Sequence, residues 1–224
     1  MCGRFTKQYT WEQLVELYNL TRAPSSNLQP RYNVCPTDTI DTIVENGGTR
    51  ELVPMRWGLV PAWWQKPLKE MKLATFNARA ETVTQKPMFR EAFKRHRCLI
   101  PASGYYEWED TAGGKQPHYF TRRDGKIVTI AGIWDQWTNK ESGETIKSAA
   151  MIITSPNDFT AEVHDRMPVV LEEKDFPAWL EGGGTDLLCP AANDVVQRWP
   201  VSKRVNSSRA DAEDSTLIEA LPSP

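Results

Sequence analysis

The sequence predicts an α+β fold, mainly antiparallel and barrel-like, with a few peripheral helices. Three observations carry this expectation. Between residues 98 and 154, short strand-like runs alternate with turn signals at Ala112-Gly113-Gly114, Asp124-Gly125 and Glu141-Ser142-Gly143. Two further β-type runs, residues 39–44 and 51–57, meet at Asn46-Gly47-Gly48, a tight-hairpin signature. Helical periodicity is confined to a few short segments that belong outside such a sheet.

Taken in order, Thr10-Trp11-Glu12-Gln13 has the form of a capping box. Leu14, Leu17 and Tyr18 then recur at helical spacing, so residues 10–20 read as a helix. The hairpin follows. Residues 86–95 read as a short helix with Phe89 and Phe93 on one face, and the strand-rich stretch comes after it. A second helical segment spans about residues 172–180 and stops at Gly182-Gly183-Gly184. The segment from about Ser207 is polar and reads as a mobile tail. A chain of 224 residues without repeats or low-complexity linkers is expected to form one domain over 1–224. It buries roughly 70% of its unfolded surface and needs no staples.

Composition narrows the function. The four cysteines (2, 35, 98 and 189) show no C-x-x-C and no pairing with the three histidines at metal-ligand spacing. No metal and no cofactor is therefore expected. No apolar run suits export or a membrane span, so a cytoplasmic protein with free thiols and no membrane contact is the expectation. A net charge of −2 excludes a generic nucleic-acid coat but not a few arginines gathered in a groove. Nine tryptophans are many, several of them beside glycine or arginine. Most such residues build cores, while a minority make platforms on which bases stack.

Four stretches could carry chemistry. The first is Met1-Cys2-Gly3-Arg4-Phe5. Removal of Met1 would leave Cys2 with an α-amine beside its thiol, and an α-amine titrates near pH 8, well below lysine. Such an amine attacks an aldehyde at neutral pH, and the thiol on the next carbon can close a five-membered ring. A buried cysteine without chemistry is the plain alternative. The second is Asn77-Ala78-Arg79-Ala80-Glu81-Thr82, which offers an amide with both donor and acceptor and a fork for phosphate. Taken alone, the stretch fits a turn asparagine with a surface arginine better.

The third is Pro101-Ala102-Ser103-Gly104-Tyr105-Tyr106-Glu107-Trp108. In a strand, Tyr105, Glu107 and Glu109 share one face and Tyr106 and Trp108 the other. A carboxylate among aromatics loses hydration and suits proton transfer, unless Glu107 sits on a solvent-facing edge. The fourth is Val163-His164-Asp165-Arg166-Met167-Pro168, a proton shuttle flanked by groups that orient it and hold phosphate. His96 lies in a basic run that reads as a solvated face, and His118 follows Pro117 with no evident partner.

Together with Arg31-Tyr32-Asn33-Val34-Cys35-Pro36 and Pro200-Val201-Ser202, these stretches resemble the SOS response-associated peptidase family, the abasic-site processing proteins, almost from end to end. Cys35 departs from the alanine more usual before that proline, a packing substitution. The resemblance implies that Cys2 captures the ring-opened aldehyde of an abasic site in single-stranded DNA as a thiazolidine, shielding the lesion. It implies that Asn77 positions the Cys2 end and the sugar, that Glu107 transfers protons, and that His164 assists ring opening and reversal. Arg79 and Arg166, with Arg4 as a weaker candidate, would hold phosphates. Trp63-Trp64 resembles the family's aromatic wedge near the DNA junction, and Trp108 would add a DNA contact. Peptidase-like self-processing of the N-terminus and abasic-site lyase activity are also implied, in a monomer acting at damaged replication forks and, in a bacterium, at the nucleoid.

Two other readings fit parts of the sequence. An N-terminal-nucleophile glutamine amidotransferase would also use Cys2, although its downstream Asn-Gly-Glu-type pattern is missing. A non-covalent single-stranded DNA module would use only the aromatics and arginines.

Overall fold

The computed structural model describes residues 2–21 and 28–222. In chain order these residues form β1 (Phe5–Lys7), α1 (Trp11–Tyr18), β2 (Arg31–Val34), β3 (Thr39–Asn46), β4 (Thr49–Trp57), β5 (Asn77–Arg79), α2 (Arg90–Arg95) and β6 (Arg97–Ala102). They continue with β7 (Gly104–Thr111), β8 (Gly114–Arg122), β9 (Val128–Thr138), β10 (Thr145–Thr154), α3 (Asp158–Ala161), β11 (Met167–Pro168), α4 (Phe176–Leu180) and β12 (Val196–Pro200). The α+β class is as expected.

Five strands close on themselves in the order β10-β4-β3-β6-β9, with β9 pairing back to β10 from Thr138↔Thr145 to Gly132↔Met151. Closure removes the free edges that a sheet otherwise exposes. Pairing is mostly antiparallel, but β10 takes both β4 (Ala149↔Trp57) and β5 (Met151↔Asn77) in parallel. A second sheet, β12-β8-β7-β1-β2, is antiparallel throughout and lies against the barrel.

Local chemistry explains the boundaries. Thr10 and Gln13 form the reciprocal capping box of α1, which ends at Asn19 in the left-handed region. Gly47 and Gly48, with φ of 59° and 79°, make the two-residue turn of the β3–β4 hairpin, where Asn46 pairs Thr49. Helix formation over 86–95 is limited to α2. Lys86 precedes Pro87, which disfavours helical backbone at the residue before it. The 172–180 segment divides into a 3-10 turn at Glu173–Asp175 and then α4.

Side chains fill three layers. Leu14, Tyr18, Phe93, Leu99, Ile133 and Trp179 pack the helices on the barrel. Phe5, Trp57, Ile100, Tyr105, Phe120 and Met151 fill the space around the barrel and the inner face of the second sheet. Tyr106, Tyr119, Val201, Val205 and Leu217 form a smaller cluster on that sheet's other face. The segment after Ser207, expected to be a mobile tail, packs there instead. Leu217 is buried, Ala220 bridges to Val201, and the Tyr32 amide donates to Ala212 O at 2.6 Å. Its polarity reflects one wet side, with Leu217 as the anchor.

Candidate active site

The second sheet determines where the chain's first residues go. β1 lies between β7 and β2, with Phe5 paired to Tyr105 on one side and Val34 on the other. The Tyr106 amide donates to Arg4 O at 3.0 Å, and the Phe5 ring meets Trp57 edge-on at 5.1 Å. Gly104 opens β7 because a Cβ there would lie 2.4 Å from both Phe120 O and the Tyr119 ring. Cys2, three residues before Phe5, is thereby held inside the protein at 2% exposure.

Around Cys2 the structure gathers residues from distant parts of the chain. Asn77 Nδ2, on β5, donates to Cys2 O at 2.8 Å, which turns Asn77 Oδ1 away from that carbonyl. Glu107, on β7, is 2% exposed and hydrogen-bonds the Cys2 thiol. His164 Nε2 lies 3.8 Å from Glu107 Oε2. The His164 loop is set by α3, which Asn157 caps through the Thr160 amide, and by the His164 amide donating to Thr160 O at 3.0 Å.

Electrostatics follow from burial. Desolvation pushes the Glu107 carboxyl up, opposed in part by His164 and by the hydrogen bond from Cys2. Burial, then the Glu107 charge and hydrogen bond, pushes the Cys2 thiol well up, so the thiol keeps its proton. The Arg166 amide donates to His164 Nδ1 at 3.1 Å, which leaves the proton of a neutral ring on Nε2, facing Glu107. Asp165 Oδ1 lies 3.0 Å from the same Nδ1. A thiol, a carboxyl of raised affinity for protons and an imidazole therefore stand in sequence, an arrangement able to move protons to and from a group bound at Cys2.

The arginines and tryptophans divide. Arg79 is exposed two residues beyond Asn77, and Arg166 forms a close ion pair with Glu81 beside His164. Arg4 is engaged internally: its Nη1 donates to Asn33 Oδ1 at 2.5 Å and Val205 O at 3.0 Å. Trp108 lies on the opposite face of β7 from Glu107, its Nε1 donating to Asn206 Oδ1 at 2.7 Å. Trp63 is 45% exposed with its ring 6.3 Å from that of Trp64, and its Nε1 donates to Pro87 O. A depression of about 250 Å3 lined by Trp63, Arg95, His96 and Asp135 belongs to this tryptophan face.

Sequence reasoning missed two features. His118 has a partner, Glu109 Oε2 at 3.0 Å, supplied across the β7–β8 pair. Tyr105 was read only for its face, yet its buried hydroxyl has no hydrogen-bond partner among the described residues. Strand alternation could have flagged Tyr105 as Glu107's neighbour; the missing partner is a tertiary fact. Among the described residues no cluster of three His, Cys, Asp or Glu side chains could hold a metal, and no helix is long and apolar enough to cross a membrane.

The second residue is thus buried beside an amide and a carboxyl, with an imidazole next to the carboxyl. The chain belongs to the SOS response associated peptidase (SRAP) family, whose model matches residues 1–208. It is 34% identical to the abasic site processing protein YoqW of Bacillus subtilis, covering 98% of this chain and 100% of that one. It is 33% identical to YoaM of the same organism, likewise an abasic site processing protein, over 98% of each. A Bacteroides thetaiotaomicron protein of known crystal structure shares the fold at a TM-score of 0.89 and 24% identity, covering 99% of this chain and 100% of that one.

Proposed function

We propose that this protein processes abasic sites in single-stranded DNA by covalent capture at Cys2. Removal of Met1 frees the Cys2 amine, which adds to the aldehyde carbon of the ring-opened sugar. The nitrogen gives up its two protons, which pass by way of neighbouring groups to the carbonyl oxygen; the oxygen leaves as water, giving an imine. The thiol then adds across the C=N bond, its proton passing to the nitrogen, and the thiazolidine closes. One water is lost overall.

In this scheme Glu107 delivers the proton to the departing oxygen and receives the one from the thiol. His164 relays protons for ring opening and for reversal. Asn77 holds the Cys2 backbone against the sugar. Arg79 and Arg166 hold the flanking phosphates, Arg166 exchanging Glu81 for DNA, and Trp63 with Trp64 packs on the bases. Arg4, the weaker phosphate candidate, and Trp108 add DNA contacts while also bonding the C-terminal segment. Removal of Met1 by the protein itself and strand cleavage from the imine are further activities of the same groups. The protein acts as a monomer in the cytoplasm, at damaged forks.

The observation that carries this reading is the buried Cys2 with Asn77 on its carbonyl and Glu107 on its thiol. The test is intact mass after incubation with a uracil-containing oligonucleotide treated with uracil glycosylase. The expected species is the protein without Met1 plus the oligonucleotide minus one water. An adduct on protein that retains Met1, or no adduct, overturns the scheme.

A further inference from the structure

Two buried polar atoms near Cys2 have unused hydrogen-bonding capacity. Asn77 Oδ1 and the Tyr105 hydroxyl are both buried and have no partner among the described residues. Buried polar groups are ordinarily paired, and an orphan at a site points to a group that arrives later. One is an acceptor and the other can donate. An amine adding to an aldehyde needs both: an acceptor for the amine N–H and a donor for the carbonyl oxygen.

Tyr105 is held where that donor is needed. It is 1% exposed, and its ring stacks on Phe120 with centroids 5.0 Å apart and planes 8° from parallel. Its strand partner is Phe5, three residues from Cys2. It precedes Glu107 by two positions on β7, so the two side chains leave the same face. Burial above all pushes the phenol's affinity for its proton well up, so it remains an O–H donor across the working pH range.

We infer that Tyr105 is a further catalytic residue, whose hydroxyl donates a hydrogen bond to the aldehyde oxygen as the Cys2 amine adds to it. The C–N bond forms as the C=O π bond breaks, and the oxygen gains negative charge. The phenol steadies that charge without surrendering its proton, and the proton that completes the hydroxyl comes from Glu107. A preorganised donor aimed at developing charge in a dry site is effective because it needs no reorganisation. The inference rests on the covalent-capture reading.

Tyr105→Phe tests it, since this substitution keeps the ring and its stack and removes only the hydroxyl. The expected result is capture of an abasic oligonucleotide slowed about tenfold or more, the loss of one hydrogen bond made to the reacting oxygen. Borohydride-trapped imine should slow in parallel, with unchanged affinity for intact single-stranded DNA. The melting temperature should be unchanged or higher, because an unpartnered buried hydroxyl is gone. An unchanged capture rate overturns the inference. So does a slower rate accompanied by a lower melting temperature and weaker DNA binding, which marks a structural hydroxyl. So does normal imine trapping with slow ring closure. Failure of the wild-type protein to form any adduct overturns the covalent-capture reading itself.

Discussion

The two faces of β7 carry nearly the same residue types and do different things. Tyr105 and Glu107 face inward beside Cys2, with the Tyr105 ring on Phe120 and its hydroxyl unpartnered among the described residues. Tyr106 and Trp108 face outward, and there the hydrogen bonds are made: Tyr106 Oη donates to Tyr32 O at 2.7 Å and Trp108 Nε1 to Asn206 Oδ1 at 2.7 Å. The outer face is satisfied and holds the C-terminal segment. The inner face keeps polar groups at a cost in stability, as sites that act on a ligand do. Adjacent positions in one motif can thus belong to unrelated parts of the molecule.

Breaking the inner face should abolish chemistry and leave the fold. The largest effect is expected for Cys2→Ala: no heat-stable adduct with an abasic oligonucleotide on a denaturing gel. Cys2→Ser should still trap an imine with borohydride. A heat-stable adduct in Cys2→Ala would contradict the scheme.

Glu107→Gln should slow capture about 100-fold, the scale of general acid–base catalysis, with DNA affinity unchanged. It should also alter stability in a pH-dependent way. Burial raises the native Glu107 carboxyl above its unfolded value, so between those two values the folded chain holds a proton that the unfolded chain has released. Wild-type stability therefore falls as pH rises through that window, and the variant lacks this loss. The melting temperature of Glu107→Gln relative to wild type should rise from about pH 4 towards neutrality. A flat difference would show that burial does not raise the proton affinity of Glu107.

Breaking the outer face should do the reverse. Leu217→Ala removes the anchor of the C-terminal segment and should cost about 2 to 3 kcal/mol in denaturant unfolding. The capture rate per folded molecule should stay the same. A large fall in that rate would show the two faces to be coupled. The smallest effect is expected at the rim, where Arg79→Ala should make the salt dependence of single-stranded DNA binding shallower by about 0.7 in log–log slope. An identical slope removes Arg79 from the phosphate contacts.

Much of the fold was legible because its signals are local. The Thr10–Gln13 capping box and the Asn46-Gly47-Gly48 turn depend only on residues within a few positions, and both form as read. The antiparallel, barrel-like class followed from strand density. The parallel joining of β5 to β10 was not legible, because 3 residues of strand carry no record of a partner more than 70 positions away. The motifs that contain Arg4 and Trp108 carry no record that the C-terminal segment returns to bond with both.

By itself the sequence determined the reactive parts: a cysteine at position 2, an amide, a carboxyl among aromatics and a histidine in a polar loop, each named by residue type and short-range pattern. Only the tertiary structure decided that Asn77 would meet the Cys2 carbonyl, that His164 would stand 3.8 Å from Glu107, and that one tyrosine of a pair would be left with an unused hydroxyl. The physical reason is range. Helix caps, turns and strand alternation are set by neighbours in the chain, whereas burial, proton affinity and hydrogen-bond satisfaction depend on whatever the closed barrel and its second sheet bring together across the whole length of the polypeptide.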